Sequence, residues 1–242
     1  MGYVVAADAI DPARDDTTTT RVTIDRSCGC ERLEQRVVEY APGRARPQRL
    51  ESRQEVLYVQ RGRGTITING RTHELEPDAG VYIAAGDEYA IENIGAEPLT
   101  IVAVSAPEER GAQPDDARRV VRYAEQPPLP ASPNREFRYL VNQEVGCPDV
   151  TQFVGVIPPG KAGMHSHTYD EVVYVVEGEG ILHLGGREAP LAPGTCIHLP
   201  PLEEHCLENT GATPMRVLGV FHPSGDPASR ASEEAAAGNN GG

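Results

Sequence analysis

The sequence predicts an all-β protein built from two tandem jelly-roll (double-stranded β-helix) barrels joined by an irregular linker. Three observations carry that prediction: one long segment recurs in register, the apolar runs are short and β-branched between turn signals, and helical periodicity is nearly absent. The recurrence is explicit. Glu55-Val-Leu-Tyr-Val-Gln-Arg-Gly62-Arg-Gly64 stands 116 residues before Glu171-Val-Val-Tyr-Val-Val-Glu-Gly178-Glu-Gly180. The same offset holds for Gly70 and Gly186, Arg71 and Arg187, Leu75 and Leu191, Pro77 and Pro193, and Asn93 and Asn209. Upstream, Tyr40-Ala-Pro-Gly43 aligns with Ile157-Pro-Pro-Gly160 at an offset of 117, one residue of slippage. A chain of 242 residues has room for two such units, since domains commonly run about 100–200 residues.

Within each copy the elements read as strands. Val56 to Val59 and Val172 to Val176 are apolar and β-branched or aromatic, and each run ends at a G-x-G turn. Thr65 to Ile68 and Ile181 to Leu184 are expected to fold back on them as hairpin partners. Asn69-Gly70 and Gly185-Gly186 follow, suited to tight turns that need positive φ. Val81 to Ala84 and Cys196 to Leu199 come next, and Ile101 to Val104 and Arg216 to Phe221 close each unit. Asp115 to Glu125 is the one expected helix. Closure into barrels removes exposed strand edges. The expected division is an N-terminal extension (1–34), a first barrel (35–106), a linker (107–134), a second barrel (135–222) and a disordered tail (223–242) without core-forming residues.

Composition excludes several functions. A net charge of −14 opposes nucleic-acid binding, which needs clustered Lys and Arg. No apolar run approaches the roughly 20 residues that cross a bilayer. The N-terminal residues carry acidic groups and no basic region, so a signal peptide is not expected and a cytoplasmic location is. The five cysteines, Cys28, Cys30, Cys147, Cys196 and Cys206, are odd in number and scattered, so a disulfide framework is not expected. Cys28-Gly29-Cys30 admits two readings, part of a metal site or ordinary reduced thiols, and the lack of a second pair favours the thiols.

The chemistry concentrates in the second copy. Gly160-Lys-Ala-Gly-Met-His165-Ser-His167-Thr-Tyr-Asp-Glu171 is followed by Gly178, and later by Gly194, Pro200, His205 and Asn209. Alternation puts His165 and His167 on one strand face, with Glu171 at the same parity. His205 arrives from a strand 34 residues beyond Glu171, which a barrel can bring alongside. Three imidazoles and one carboxylate suit one divalent transition metal (Fe, Mn, Ni, Co, Cu or Zn) with coordination positions left open. Tyr169 shares the ligand parity and is a candidate catalytic residue, its hydroxyl standing behind the metal ligands. Cys206 should point away from the metal. His198 and Cys196 share a face that parity alone does not assign, and His183 and His222 read as structural or exposed.

These blocks resemble the two motifs of the cupin superfamily, G-x4-H-x-H-x3-E-x6-G and G-x5-P-x4-H-x3-N, over residues 35–105 and 148–222. The resemblance implies that His165, His167, Glu171 and His205 are metal ligands and that the second barrel's interior is the active site. The first copy departs from it: Arg49, Glu51, Glu55 and Tyr89 stand at the equivalent positions, or Gln48 and Leu50 if the slip is applied. A buried ionic cluster of Arg49, Glu51 and Glu55, a pocket lined by Tyr89, or a barrel kept for folding or dimerisation all remain open.

Among metal cupins the chain looks like the quercetin-dioxygenase type. That implies oxygen-dependent turnover of a small enolisable or phenolic compound, with Glu171 both ligand and general base. A metal-dependent isomerase, decarboxylase or hydrolase is the alternative. The plan of metal in the C-terminal barrel alone is similar to the ureidoglycine aminohydrolase family, but that family's Glu-x-His, His, Gln ligands differ from the set here. The bicupin isomerase of bacilysin biosynthesis is similar in size, but both its barrels look metal-competent. A small-ligand-binding cupin without turnover is the third reading. The implied partners are a small-molecule substrate and a second copy in a homodimer, without nucleic acid or membrane.

Overall fold

The computed structural model describes residues 1–229 apart from Ala117 and Pro133. In the first half the main strands are β1 (Tyr3–Ala6), β2 (Thr18–Ile24), β3 (Glu34–Tyr40), β4 (Arg53–Arg61), β5 (Gly64–Ile68), β6 (Arg71–Leu75), β7 (Ala79–Ile83), β8 (Glu88–Asn93) and β9 (Leu99–Pro107). In the second half they are β10 (Val120–Arg122), β11 (Leu129–Ser132), β12 (Arg135–Val141), β13 (Thr151–Ile157), β14 (Asp170–Glu177), β15 (Gly180–Leu184), β16 (Arg187–Leu191), β17 (Thr195–Leu199), β18 (His205–Asn209) and β19 (Met215–His222). Each half is a sandwich. In the first, the sheet β10-β7-β4-β9-β3-β2, extended by Ala13–Arg14, faces the sheet formed by Gly43–Arg44, β8, β5 and β6. In the second, β1-β17-β14-β19-β13-β12-β11 faces β16-β15-β18. Two all-β jelly-roll barrels in tandem are therefore present.

Alternation explains why the central strands are apolar almost throughout. On β14, Val173 and Val175 belong to the second barrel's interior core, with Leu182, Leu199 and Val217. Val172 and Tyr174 point the opposite way, into a core shared by both barrels with Val56, Tyr58, Val102 and Val220. Leu57 and Val59 fill the first barrel. A strand buried on both faces has no polar side to present, so its sequence loses the period-two pattern.

Two expectations are corrected. β4 and β14 do not form hairpins with β5 and β15: β4 pairs with β7 and β9, and β5 pairs with β6 and β8. The G-x-G segments instead carry the chain from one sheet of each sandwich to the other, the jelly-roll crossing. The tight turn at Asn69-Gly70 (φ 47° and 83°) joins β5 to β6, as Gly185-Gly186 joins β15 to β16. The helix expected over 115–125 is β10 followed by a 3-10 turn at Tyr123–Glu125. There Val120 and Val121 complete an edge of the first barrel against Val81 and Gly80, and sheet pairing overrides a weak local preference.

The extension and linker hold strands that exchange between the barrels. β1 pairs with β17 of the second barrel, and β10, its counterpart 116 residues on, pairs with β7 of the first. A 3-10 turn follows each, at Ala7–Ala9 and Tyr123–Glu125. The duplication therefore begins near residue 3. Tyr3-Val-Val-Ala and Arg119-Val-Val-Arg share only the two valines, too few identities for the sequence to reveal it. Of the tail expected to be disordered, residues 223–229 are placed: the Thr151 hydroxyl hydrogen-bonds Ser224 Oγ at 2.8 Å and the Gly225 carbonyl at 3.1 Å. The rest of that tail lies outside the described residues. No described helix is long and apolar enough to cross a membrane.

Candidate metal centre

His165 and His205 meet across a short antiparallel bridge: His165 N–H donates to the His205 carbonyl at 3.0 Å, and His205 N–H returns the bond at 2.8 Å. His167 lies on the approach to β14, its carbonyl accepting from Leu202 N–H at 2.7 Å, which ties the histidine segment to the loop before β18. The rings gather. Centroids are 4.9 Å apart for His165 and His167, 4.5 Å for His165 and His205, and 5.3 Å for His167 and His205. One ring nitrogen from each lies within 4.8 Å of the others.

Tautomer follows from the neighbours. His205 Nδ1 is 2.9 Å from the Glu203 carbonyl, and His165 Nδ1 is 3.3 Å from that of Gly163. A carbonyl can only accept, so Nδ1 carries the proton and Nε2 the lone pair, the arrangement of a metal-ligating imidazole held by an outer partner. The donor set fits a divalent transition metal. Tyr169 lies behind the candidate ligands. Its ring stacks on His167 (4.7 Å, 11°) and on Phe221 (4.0 Å, 16°), buried behind the histidine and not among the residues that line the cavity. Its ring is thus stacked behind a candidate ligand, off the cavity wall.

Glu171, the second residue of β14, lines the same cavity as the histidines, outside their tight trio. It is buried, and burial alone pushes its carboxyl up to about 8. Gly219 makes room beside it: a Cβ there would meet the Phe153 ring at 2.3 Å and Glu171 Oε1 at 3.1 Å. A raised carboxyl contributes stability that is complete below its ordinary value of 4.5 and lost as pH rises through about 8. Metal-free protein should therefore melt at progressively lower temperature from pH 5 to pH 9. Glu171→Gln should flatten that slope, and a bound divalent cation, which favours the carboxylate, should reverse it. A slope unchanged in Glu171→Gln would refute the assignment.

The cavity is about 310 Å³. Periodicity leaves open which of Phe153, Tyr169, Val173, Val175 and His198 face inward; Phe153 and Val173 line the cavity, as do Arg135, Phe137 and the tail residues Pro227 to Ser229. Arg135 and Phe137 share parity on β12, a signal too common to single them out. Val175 is deep in the interior core, and His198 faces the shared core, as does Cys196. His183 pairs with Glu208 (2.7 Å) and Glu188 (3.1 Å) on the outer sheet.

The first barrel has replaced this centre by a salt bridge. Gln48 pairs with Tyr89 in the ladder as His165 pairs with His205, so the slipped register is the structural one. Arg49 and Glu51 pair with each other on the surface at 3.0 Å instead of joining Glu55. Fully buried Glu55 takes the Arg36 guanidinium on Oε1 and the Tyr89 hydroxyl on Oε2 at 2.6 Å. Burial, and then the Glu55 charge, push the Tyr89 hydroxyl well above its ordinary value, so it remains a donor. Arg36 corresponds to Phe153, 117 residues on. A fixed internal cation stands where the second barrel keeps a cavity.

Two strand-exchanged jelly-roll barrels, one with a histidine trio at its mouth and one closed by an ion pair, define a two-barrel protein with one open candidate metal centre and one closed barrel. The chain belongs to the cupin family: the cupin domain model matches residues 36–105 and 153–221. It is 36% identical over 67 residues to an oxalate-binding protein of Thermotoga maritima (27% of this chain, 55% of that one). It is 30% identical over 98 residues to a glucose-6-phosphate isomerase of Thermococcus onnurineus (34% of this chain, 52% of that one). The chain thus spans about half the length of the curated relatives it matches. Among solved structures, the fold is shared with the Escherichia coli protein Ylba (TM-score 0.78, 16% identity, 93% of this chain and 92% of that one). It is also shared with the oxalate decarboxylase of Bacillus subtilis (TM-score 0.76, 14% identity, 92% and 77%).

Proposed function

We propose that the second barrel is the active site of a metal-dependent enzyme that decarboxylates a small carboxylic acid with an enolisable carbonyl group. The observation that carries this reading is the convergence of three ring nitrogens within 4.8 Å at a cavity that also holds Glu171 and Arg135. His165, His167 and His205 would hold the metal, with Glu171 as fourth ligand when ionised. A divalent ion bound there supplies Lewis acidity toward a substrate oxygen. Arg135, positioned by its Nη2 bond to the Leu207 carbonyl at 2.7 Å, receives a carboxylate of the substrate. As the carbon–carbon bond breaks and carbon dioxide leaves, the electron pair stays on the substrate as an enolate. The Glu171 carboxyl, in its protonated form and then not a ligand, delivers its proton to that carbon. Phe137 and Phe153 keep water from the reacting carbon.

The size of the cavity supports a small substrate, since about 310 Å³ is at the bottom of the usual range of roughly 300–1,000 Å³. The likeness to an oxalate-binding protein supports a carboxylate-bearing one. A second reading, oxygen-dependent cleavage of a phenolic or enolisable compound, is favoured by the aromatic wall of Phe137 and Phe153. Metal analysis, followed by turnover of a panel of 3-oxo acids, dicarboxylic acids, diketones and flavonols with and without oxygen, separates the two. Carbon dioxide release without oxygen supports decarboxylation. Turnover only with oxygen consumption moves the assignment to a dioxygenase, and no turnover of any acid or phenol overturns both.

A further inference from the structure

We infer that Cys30, Asp170 and His198 form a second, buried metal site that fastens the first barrel to the second. One donor atom from each lies within 4.8 Å of the others, and Cys30 and His198 are fully buried. Cys30 comes from the first barrel, on the loop after the 3-10 turn Arg26–Cys28, where Gly29 at φ 90° turns the chain back. Asp170 and His198 come from β14 and β17 of the second barrel, on the face turned toward the first. The site is independent of the proposed activity, although Asp170 and Glu171 are consecutive on β14 and point to opposite faces.

The duplication supplies an internal comparison. Cys30 corresponds to Cys147 at the offset of 117, and Asp170 and His198 to Gln54 and Tyr82 at 116. The loops match: the turn Gln143–Val145 is capped by Asn142 as Arg26–Cys28 is by Asp25, and Gly146 has φ 85°. In the sister cluster every group is neutral and bonded. Cys147 Sγ and the Tyr82 hydroxyl both lie 3.2 Å from Gln54 Oε1, and Gln54 Nε2 donates to the Pro107 carbonyl at 2.7 Å. At the same place in the other half stand the three side chains that bind borderline metals. His198 Nε2 is 3.0 Å from Asp170 Oδ1, while the buried Nδ1 of His198 has no hydrogen-bond partner. A buried polar nitrogen without a partner costs stability, which the neutral sister solution avoids.

The charges suit a divalent cation. A thiolate and a carboxylate neutralise it, and imidazole completes a mixed sulfur, nitrogen and oxygen set of the kind zinc takes. Burial pushes the Cys30 thiol up to about 12, and backbone N–H groups of Leu33 and Arg32 point at its sulfur and oppose that shift, so the thiolate forms only with the cation in place. On binding, the thiol proton passes to solvent and the cation takes its place. With no access to solvent at two of the three ligands, such a site is structural, and its ligands span both barrels.

Cobalt(II) tests the site without interference from the histidine centre, which has no sulfur ligand. In His167→Ala, titration of metal-stripped protein with cobalt(II) should give a near-ultraviolet thiolate-to-cobalt charge-transfer band saturating at one equivalent. The band should vanish in His167→Ala/Cys30→Ser. It should vanish also in His167→Ala/Asp170→Gln/His198→Tyr, which installs the residues of the folded sister cluster. Cys30→Ser alone should still bind one metal, at the histidine centre. Absence of the band at saturating cobalt(II), or its survival in both multiple variants, would overturn the site while leaving the histidine centre untouched.

Discussion

His167→Ala is expected to lower the affinity of the second barrel's centre for divalent metal by more than about 100-fold. Loss of an outer-shell partner of a metal ligand already costs roughly 10–100-fold, and His167 contributes a ring nitrogen to the trio itself. Turnover should fall in parallel. The protein should remain folded, because the interior core of Val173, Leu182, Leu199 and Val217 does not include the histidines. Loss of the stacking on Tyr169 should cost about 1–3 kcal/mol, ordinary for a buried truncation. The matched change in the first barrel, Glu51→Ala, should leave metal content as it is, because Glu51 is exposed and pairs only with Arg49. Metal analysis after dialysis, together with thermal melts, reads both arms. A His167→Ala protein that retains metal at the histidine centre would remove the basis of the proposed activity.

Arg36→Leu should produce the largest loss of stability. It leaves Glu55, fully buried, with the Tyr89 hydroxyl as its remaining partner at 2.6 Å. Removing one member of a buried ion pair costs about 3–5 kcal/mol because the other charge stays desolvated. For a chain of this size that corresponds to a melting temperature lower by roughly 6–20 °C. Arg36→Phe/Glu55→Leu should recover most of the loss, since apolar groups of matching volume often replace a buried pair at little cost. The second barrel already places Phe153 at the position of Arg36. Equal destabilisation by the single and double changes would mean that packing, not the uncompensated charge, dominates the site.

The contrast between the barrels shows what kind of information spacing carries. His165, His167, Glu171 and His205 were legible because the spacing within the two motif blocks marks them out, although His165 and His167 lie before β14 and not on the strand that alternation had assumed. The counterpart in the first barrel was not. The one-residue slip decides whether Arg49 or Gln48 faces Tyr89, and only the ladder between Gln48–Arg49 and β8 resolves it. Arg36, the partner that closes that barrel, lies on β3 with nothing local to mark it. Tyr169 had the right parity but precedes β14, where alternation does not hold, and its ring turned back onto His167.

Sequence by itself determined the duplication, the all-β character and the candidate ligands, because each follows from local periodicity or from identities in register. Tertiary structure alone decided the exchange of β1 and β10 between barrels, the shared core, and the meeting of Cys30 with Asp170 and His198. Those depend on which surfaces cover one another. Parity tells which face a side chain takes, but the energy of burial is set by what packs against that face, and here the covering surface comes from the opposite half of the chain.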